Sequence, residues 1–363
     1  MEMSQQIEPR VGLKTSRNAR EQSIDVRARL CRAWASRSVV FSRNALLCLL
    51  LLIGAASPVS ASKVFVVGET KIASHAALDA DEQGFIEGLA DSGFHEGVNV
   101  QILREDANGS IERAQEIARE FVKQKVDLIH SISTPSTLAV LGVDRSIPLV
   151  FSSVTDPVSA GIVKSASVAR SRTTSHVTGV SDLWPVEIQM RLYQRMFPHV
   201  QSWGTIYNKA EPNSVLHIKK MRAVADELGI ELLEATIEDS SQVTEAAGSL
   251  IDRVQAFVIT SDNTTVKSLS ALVEFAESRG VPVFAGDVDS VRGGAVAAFG
   301  MDYFLVGYAA GRKAGLILQG VDPGDIPWGP LAKFSFVINV GAAKRQGVVI
   351  DPNILVMADE IIQ

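Results

Sequence analysis

Cysteine is almost absent from this chain of 363 residues, and both cysteines lie near its start. Cys31 and Cys48 fall within the first 61 residues, a segment that is first basic and then apolar. The rest of the sequence, from Ser62 onward, contains no cysteine. This excludes a disulfide framework, a thiolate metal site and a cysteine nucleophile from the body of the protein.

The sequence motifs of several large enzyme classes are also absent. There is no GxGxxG after the first predicted strand, no phosphate loop of the form GxxxxGKS/T, no GxSxG and no HExxH. The six histidines are scattered and share no i, i+4 spacing, which argues against a local zinc cluster. The spacing of Asp182, Asp262, Asp287 and Asp289 does not require an acid–base pair. We therefore expect a protein that is not an enzyme and that uses no cofactor and no metal.

Basic residues are scarce outside the N-terminal segment. The first 61 residues contain nine Lys or Arg and four Asp or Glu, which leaves 26 basic and 37 acidic residues for the remainder. A nucleic-acid-binding surface needs a basic face, so the acidic body argues against nucleic acid as a partner.

The N-terminal segment contains one apolar run, Ala45–Ala56, which has 12 residues and follows Arg43. A membrane-spanning helix needs about 20 apolar residues. The run is typical of the core of a signal peptide, and the small residues Val59-Ser60-Ala61 form a cleavage site. We predict cleavage near Ala61 and export to the periplasm; the alternative is an uncleaved anchor.

From Lys63 the chain alternates short apolar runs with amphipathic stretches. Lys63–Val67 is predicted as a buried strand and His75–Ser92 as a helix, and the same rhythm restarts with a helix at Pro185–Phe197. Near-continuous apolar strands that alternate with helices indicate parallel sheets covered on both faces. Two segments, Val177–Asp182 and Ala298–Asp302, are predicted as linkers.

The fold class predicted from this pattern is α/β, with two lobes, each built on a parallel sheet. Residues 1–61 are assigned to a basic leader and signal peptide. Residues 62–180 with about 302–330 are assigned to lobe 1, and residues 181–301 with about 331–363 to lobe 2.

Candidate binding residues follow the predicted strands, because ligands of open parallel sheets bind at the carboxyl ends of the strands. Six such turns carry small hydroxyls, amides and carboxylates, and none carries an arginine. Their candidates are Ser74, His75, Thr134, Ser153, Thr155, Asp156, Asn208, Asp262, Asn263 and Asp287.

The chemistry of these turns suits a small zwitterion. Thr134-Pro135 and Asp156-Pro157 have the form of a helix N-cap followed by proline, and a helix N-terminus attracts a carboxylate. Asp156, Asp262 or Asp287 could accept hydrogen bonds from a ligand ammonium. The alternative is that these residues are ordinary helix caps, which any α/β protein has.

Several segments together resemble the ABC-transporter substrate-binding family, whose best-known branch takes up tryptophan and other aromatic amino acids. They are Ser74–Asp79, Ser133–Pro135, Val150–Val163, His176–Asp182, Tyr207-Asn208, Ser261–Thr264 and Gly293–Gly315. The similarity spans roughly Lys63 to the C-terminus.

The resemblance implies a type I periplasmic-binding fold, with two Rossmann-like lobes, three crossovers between them and a ligand in the cleft. It implies contacts to the ligand from Ser74, His75, Thr134, Ser153, Thr155, Asp182, Asn208, Asp262 and Asn263, with Asp287 as a further candidate.

The predicted function is that of the periplasmic solute-binding component of an ABC importer, with an amino-acid-like ligand, aromatic ones included, in the interlobe cleft. The implied partners are the permease and ATPase subunits, and the chain is expected to be a monomer. The alternative is a periplasmic sensor or docking protein for a membrane signalling partner. A periplasmic enzyme of flavodoxin-like or Rossmann type is a third interpretation. A cytosolic repressor would need a helix-turn-helix where this chain has Ala45–Ala61.

Overall fold

A computed structural model describes residues 63–164, 176–331 and 333–363. The predicted signal peptide and its cleavage site lie outside the described residues. Within the described ranges, no helix is both long enough and apolar enough to cross a membrane.

The first sheet has six strands in the order β11-β5-β4-β3-β1-β2, and every neighbouring pair is parallel. The two central strands β3 and β4 are buried along their whole length, as expected for a sheet that is covered on both faces. The strands are β1 (Phe65–Lys71), β2 (Val100–Asp106), β3 (Leu128–Ile132), β4 (Leu149–Val154), β5 (Val177–Ser181) and β11 (Gly329–Pro330).

The second sheet has seven strands in the order β13-β12-β10-β9-β8-β6-β7. All neighbours are parallel except β10 and β12, which run antiparallel, so the sheet is mixed near one edge. The strands are β6 (Ser202–Asn208), β7 (Glu231–Ile237), β8 (Ala256–Ile259), β9 (Val283–Ala285), β10 (Ala297–Gly300), β12 (Ser335–Asn339) and β13 (Glu360–Ile362).

Twelve α-helices of the described residues connect these strands. The first five in chain order are α1 (Ala76–Ala90), α2 (Ile111–Gln124), α3 (Thr134–Val143), α4 (Val186–Met196) and α5 (Pro212–Leu228). The others are α6 (Val243–Leu250), α7 (Asn263–Val266), α8 (Leu269–Glu277), α9 (Asp289–Arg292), α10 (Tyr303–Leu318), α11 (Val340–Arg345) and α12 (Pro352–Leu355).

The chain passes between the two sheets three times: after β5, after β10 and between β11 and β12. Two lobes with three crossovers confirm the predicted type I periplasmic-binding architecture. The predicted domain boundaries stay a prediction.

The two predicted linkers are wrong, because each is largely a strand. Val177–Ser181 forms β5, which is buried throughout and lies between β4 and β11. Close packing requires glycine in this strand, because a Cβ on Gly179 would lie 2.2 Å from the backbone oxygen of Phe151. Ala297–Gly300 likewise forms β10. The crossovers begin just after these two strands.

Helices α1 and α10 pack closely enough that their backbones touch. A Cβ on Gly307 of α10 would lie 1.8 Å from the backbone oxygen of Asp81, and one on Gly84 of α1 would lie 1.9 Å from that of Phe304. Since α1 follows His75 and α10 begins at Tyr303, this pairing fixes two helix starts that border the site described next.

Candidate ligand-binding site

A small cavity lies where the carboxyl ends of strands from both sheets meet. Its volume is about 10 Å³, so it has room for about one ordered water. Twelve residues line it: His75, Ala77, Leu78, Ser153, Thr155, Asp182, Asn213, Ser261, Asn263, Val266, Asp287 and Tyr303.

The first sheet contributes Ser153 and Thr155 from the end of β4. Ser153 has a left-handed backbone (φ 54°), which is uncommon for a residue with a side chain, and its hydroxyl donates to the buried carboxylate of Asp81. The backbone N–H of Thr155 donates to Thr134 Oγ1 at 3.3 Å. These bonds fix the loop after β4 in the conformation that brings both residues to the cavity.

A buried polar network lies beneath Ser153. His130 is within hydrogen-bond distance of Glu69 Oε2 (2.9 Å) and of Ser152 Oγ (2.8 Å), and Ser152 donates to Asp81 at 2.8 Å. Burial raises the pKa of Glu69 to about 8 and that of Asp81 to about 7, and it lowers the pKa of His130 to about 4. Each of these groups is therefore pushed towards its neutral form.

Glu211 organises the second-sheet side of the cavity. Its carboxylate accepts from the backbone N–H of Asn263 (3.0 Å), from Asn263 Nδ2 (2.6 Å) and from Thr264 N (2.9 Å). Asn213 Nδ2 donates to the same carboxylate and to the backbone oxygen of Ser261. These bonds fix which end of each amide carries the oxygen.

Asp262 supports this side from behind. Its carboxylate accepts from Asn208 N (2.8 Å), Ser214 Oγ (2.7 Å) and Thr265 N (2.7 Å), and it caps the short helix α7. Burial, with the nearby Glu211, raises the pKa of Asp262 to about 7. All its contacts are internal, so its position is structural.

The first two crossovers contribute Asp182 and Tyr303, and the turn after β9 contributes Asp287. Tyr303 donates its hydroxyl to Asp182 Oδ2 at 2.6 Å, and burial raises the pKa of Asp182 to about 6 although that hydrogen bond opposes the shift. Asp287 accepts from Ser290 N and Ser290 Oγ, each at 2.7 Å.

Three side chains at the cavity leave a buried polar atom without a hydrogen-bond partner in the part of the chain that the structure describes: His75 Nδ1, Asp182 Oδ1 and Asn213 Oδ1. Burial lowers the pKa of His75, so the ring is neutral, and its Nε2 lies 3.3 Å from Asn263 Oδ1. Because that oxygen can only accept, Nε2 carries the proton and Nδ1 is an acceptor. All three unpaired atoms are therefore acceptors, and a ligand with N–H donors suits them.

No lysine or arginine lines the cavity among the described residues. In the whole part of the chain that the structure describes, no group of three His, Cys, Asp or Glu side chains is placed to hold a metal ion.

Comparison with known proteins identifies the family of this chain. A protein-family model described as ABC transporter substrate binding protein matches residues 66–362. The chain belongs to that family. The resemblance seen in the sequence is thereby confirmed, and the family consists of binding proteins.

Three relatives illustrate this family. A tyrosine-binding protein of Clostridioides difficile (strain R20291) is 34% identical over 278 residues, which are 77% of this chain and 79% of that protein. A crystal structure of an ABC domain in complex with L-Trp from Streptococcus pneumonia is 25% identical with a TM-score of 0.77 and covers 83% of this chain and all of that one. A ligand-free, open substrate-binding protein with adhesive properties from Clostridium difficile is 29% identical with a TM-score of 0.60, at 83% and 100% coverage.

The structure brings together six of the eleven residues predicted from the sequence of this substrate-binding protein. These six line the cavity: His75, Ser153, Thr155, Asp182, Asn263 and Asp287. Thr134, Asn208 and Asp262 are buried just behind it and hold its walls.

The remaining two predicted residues lie apart from the cavity lining. Ser74 is exposed and donates to Asp79 at 2.8 Å. Asp156 accepts from Val158 N and Ser159 N within its own turn. The expected helix after Asp156-Pro157 is a turn, and α3 begins at Thr134 itself with Ser133 before it.

Sequence reasoning missed the cavity-lining residues Asn213, Tyr303, Ala77, Leu78 and Val266. They belong to the first turns of helices, whereas the rule that ligands bind at the carboxyl ends of strands points only to the residues directly after each strand. Ser261 belongs to one of the turns already singled out.

Proposed function

We propose that this chain is the solute-binding component of an ABC importer and that it captures an amino acid in the cleft between its two lobes. Six of the eleven residues predicted from the sequence contact the ligand in this proposal, and Thr134, Asn208 and Asp262 support them from behind. Ser74 and Asp156 take no part in the site. Asn213, Ser261 and Tyr303 complete the site.

The observation that carries the proposal is the set of unpaired acceptors. His75, Asp182 and Asn213 come from three different elements, yet each presents a buried acceptor at one cavity. An ammonium group supplies three N–H donors and a positive charge, which the carboxylates of Asp182 and Asp287 favour.

The narrowness of the cavity supports capture by closure of the lobes. Sites for small molecules usually measure about 300 to 1,000 Å³, and a space for one water does not admit an amino acid. The backbone resembles the relative solved with L-Trp more closely than the relative described as ligand-free and open. We infer a closed form, from which the lobes separate by hinge motion at the three crossovers to admit the ligand.

The importer role carries further expectations. The protein would work as a monomer in the periplasm, released there after cleavage near Ala61, and would deliver its ligand to permease and ATPase subunits. No cofactor and no nucleic acid take part in this role.

Thermal unfolding of the purified protein with a panel of amino acids tests the proposal. At 100 times its Kd, a ligand that binds only the folded state adds about 2.7 kcal/mol to the free energy of unfolding. We expect at least one amino acid to raise the melting temperature, and the same acid without its amino group to have no effect. If no amino acid stabilises the protein, or if the deaminated acid stabilises it equally, the proposal fails.

A further inference from the structure

Trp184 stands directly behind the wall of the cavity. It follows Asp182 by two residues in the first crossover, yet only 3% of its surface is exposed. A Cβ on Gly286, the neighbour of Asp287, would lie 1.4 Å from Trp184 Cζ3. The six-membered ring of the indole therefore rests on the backbone that leads to Asp287, and only glycine is tolerated there.

The indole is held on its face as well as at its edge. It stacks on His217 with the ring centres 4.9 Å apart and an angle of 22° between the planes. His217 Nδ1 is in turn 2.9 Å from the hydroxyl of Ser261, which lines the cavity. Trp184 is thus fixed against the turns after β8 and β9, and it cannot swing aside without disturbing them.

The cavity has little apolar surface for a ligand side chain. Its apolar members are Ala77, Leu78 and Val266, and Tyr303 is its one aromatic member among the described residues. The Tyr303 hydroxyl is committed to Asp182. A bound tryptophan or tyrosine would need a further slot of about the size of an indole, and Trp184 fills the space beside Gly286 where such a slot could open.

We propose that the Trp184 side chain occupies the room that a large ligand side chain would need and thereby restricts the site to amino acids of the size of glycine, alanine, serine or threonine. This inference rests on the proposed function, because it names the ligand class of the same site. The proposed ligand class differs from the ligands named for two relatives, the tyrosine-binding protein and the protein solved with L-Trp.

Titration calorimetry of the full chain tests it with two groups of ligands: glycine, alanine, serine and threonine against phenylalanine, tyrosine and tryptophan. We expect at least one small amino acid to bind the unaltered protein at least tenfold more tightly than every aromatic one. Equal or tighter binding of an aromatic amino acid would overturn the restriction and leave the proposed function intact. Binding of none of the amino acids would overturn both.

The variant Trp184→Ala supplies the second half of the test. Its affinity for at least one aromatic amino acid is expected to rise at least tenfold, because truncation opens space beside Gly286. The matched control is Leu183→Ala, which truncates the exposed neighbour of Trp184 and should leave both ligand groups unchanged. If Trp184→Ala folds and gains nothing for aromatic ligands, the proposal is wrong.

Trp184→Phe keeps the test decisive if the alanine variant does not fold. It removes the pyrrole portion of the indole, preserves a ring against His217, and should gain several-fold in affinity for phenylalanine. An unchanged preference in a folded Trp184→Phe would contradict the proposal.

Discussion

At the scale of single residues, the site has two properties. It contains hydrogen-bond acceptors without a donor in the described chain, and it contains carboxyl groups whose pKa values burial raises. Asp182 shows both properties, since Oδ2 receives the Tyr303 hydroxyl while Oδ1 is unpaired within the described chain, and burial raises its pKa to about 6. Above that pH the carboxylate is ionised and attracts a ligand ammonium. Below it the added proton removes both the charge and an acceptor.

Asp182→Asn should therefore weaken amino-acid binding about 10- to 100-fold at pH 7.5, because hydrogen bonds to a charged group contribute about 1.5–3 kcal/mol. The unaltered protein should lose affinity as the pH falls from 7 to 5, and the variant should not. Calorimetry at several pH values measures both effects. Asp156→Asn, in its self-contained turn, is the control, and an effect of Asp156→Asn as large as that of Asp182→Asn would contradict the assignment.

Sequence reasoning found roughly half of the cavity lining, for a physical reason. The carboxyl ends of parallel strands are the expected binding edge, and this rule located Ser153, Thr155 and Asp287. It did not locate Asn213 or Tyr303, because those residues lie in the first turns of α5 and α10 and do not follow a strand directly. Which helix starts pack against the strand ends depends on long-range contacts, and these leave no local pattern in the sequence.

At the scale of secondary-structure elements, the pair α1 and α10 connects lobe packing to the site. Their close approach depends on glycines, while His75 and Tyr303 mark where the two helices begin beside the cavity. The sequence predicted α1 to within two residues at either end. It did not predict that α1 and α10 touch. Helical periodicity indicates which face of a helix is buried but does not indicate which element packs against that face.

Gly307→Ala should lower the free energy of unfolding by about 1–3 kcal/mol, because its Cβ would overlap the backbone oxygen of Asp81. Gly248→Ala is the matched control on the exposed face of helix α6, where the nearest atom to a Cβ is 3.8 Å away. There the change should be neutral or stabilising by up to about 1 kcal/mol. Urea unfolding of both variants measures the difference, and equal effects would contradict the proposed close contact.

At the scale of the whole molecule, buried acids make stability depend on pH. The pKa of Glu69 is about 8 in the folded protein, raised chiefly by burial, against an ordinary value of 4.5. Between these values the folded state keeps a proton that the unfolded chain has released, so the free energy of unfolding falls as the pH rises. Asp81, with a pKa of about 7, acts in the same direction. His130, with a pKa lowered to about 4, acts in the opposite direction, but mainly below about pH 6.5.

The free energy of unfolding should therefore decrease between pH 7 and pH 9. Glu69→Gln keeps the size of the side chain and removes its ionisation, so it should make this decrease smaller. Urea unfolding across the pH range provides the measurement. A stability that stays constant or rises between pH 7 and pH 9 in the unaltered protein would show that the Glu69 pKa is not raised as described.

The two-lobed fold as a whole follows from the sequence more readily than its ligand does. The restarted alternation of strands and helices predicted both sheets, while the antiparallel neighbour of β10 and the burial of β5 depend on contacts that come late in the chain. The ligand depends on a cavity whose shape is set by single side chains such as Trp184.

Native mass spectrometry of the protein after mild purification tests the central claim most directly, because it weighs whatever the cleft has retained. We predict one bound molecule per chain with the mass of an amino acid, retained by the unaltered protein and lost from the Asp182→Asn variant. A retained nucleotide, flavin or sugar, or an amino acid held equally by the variant, would contradict the account.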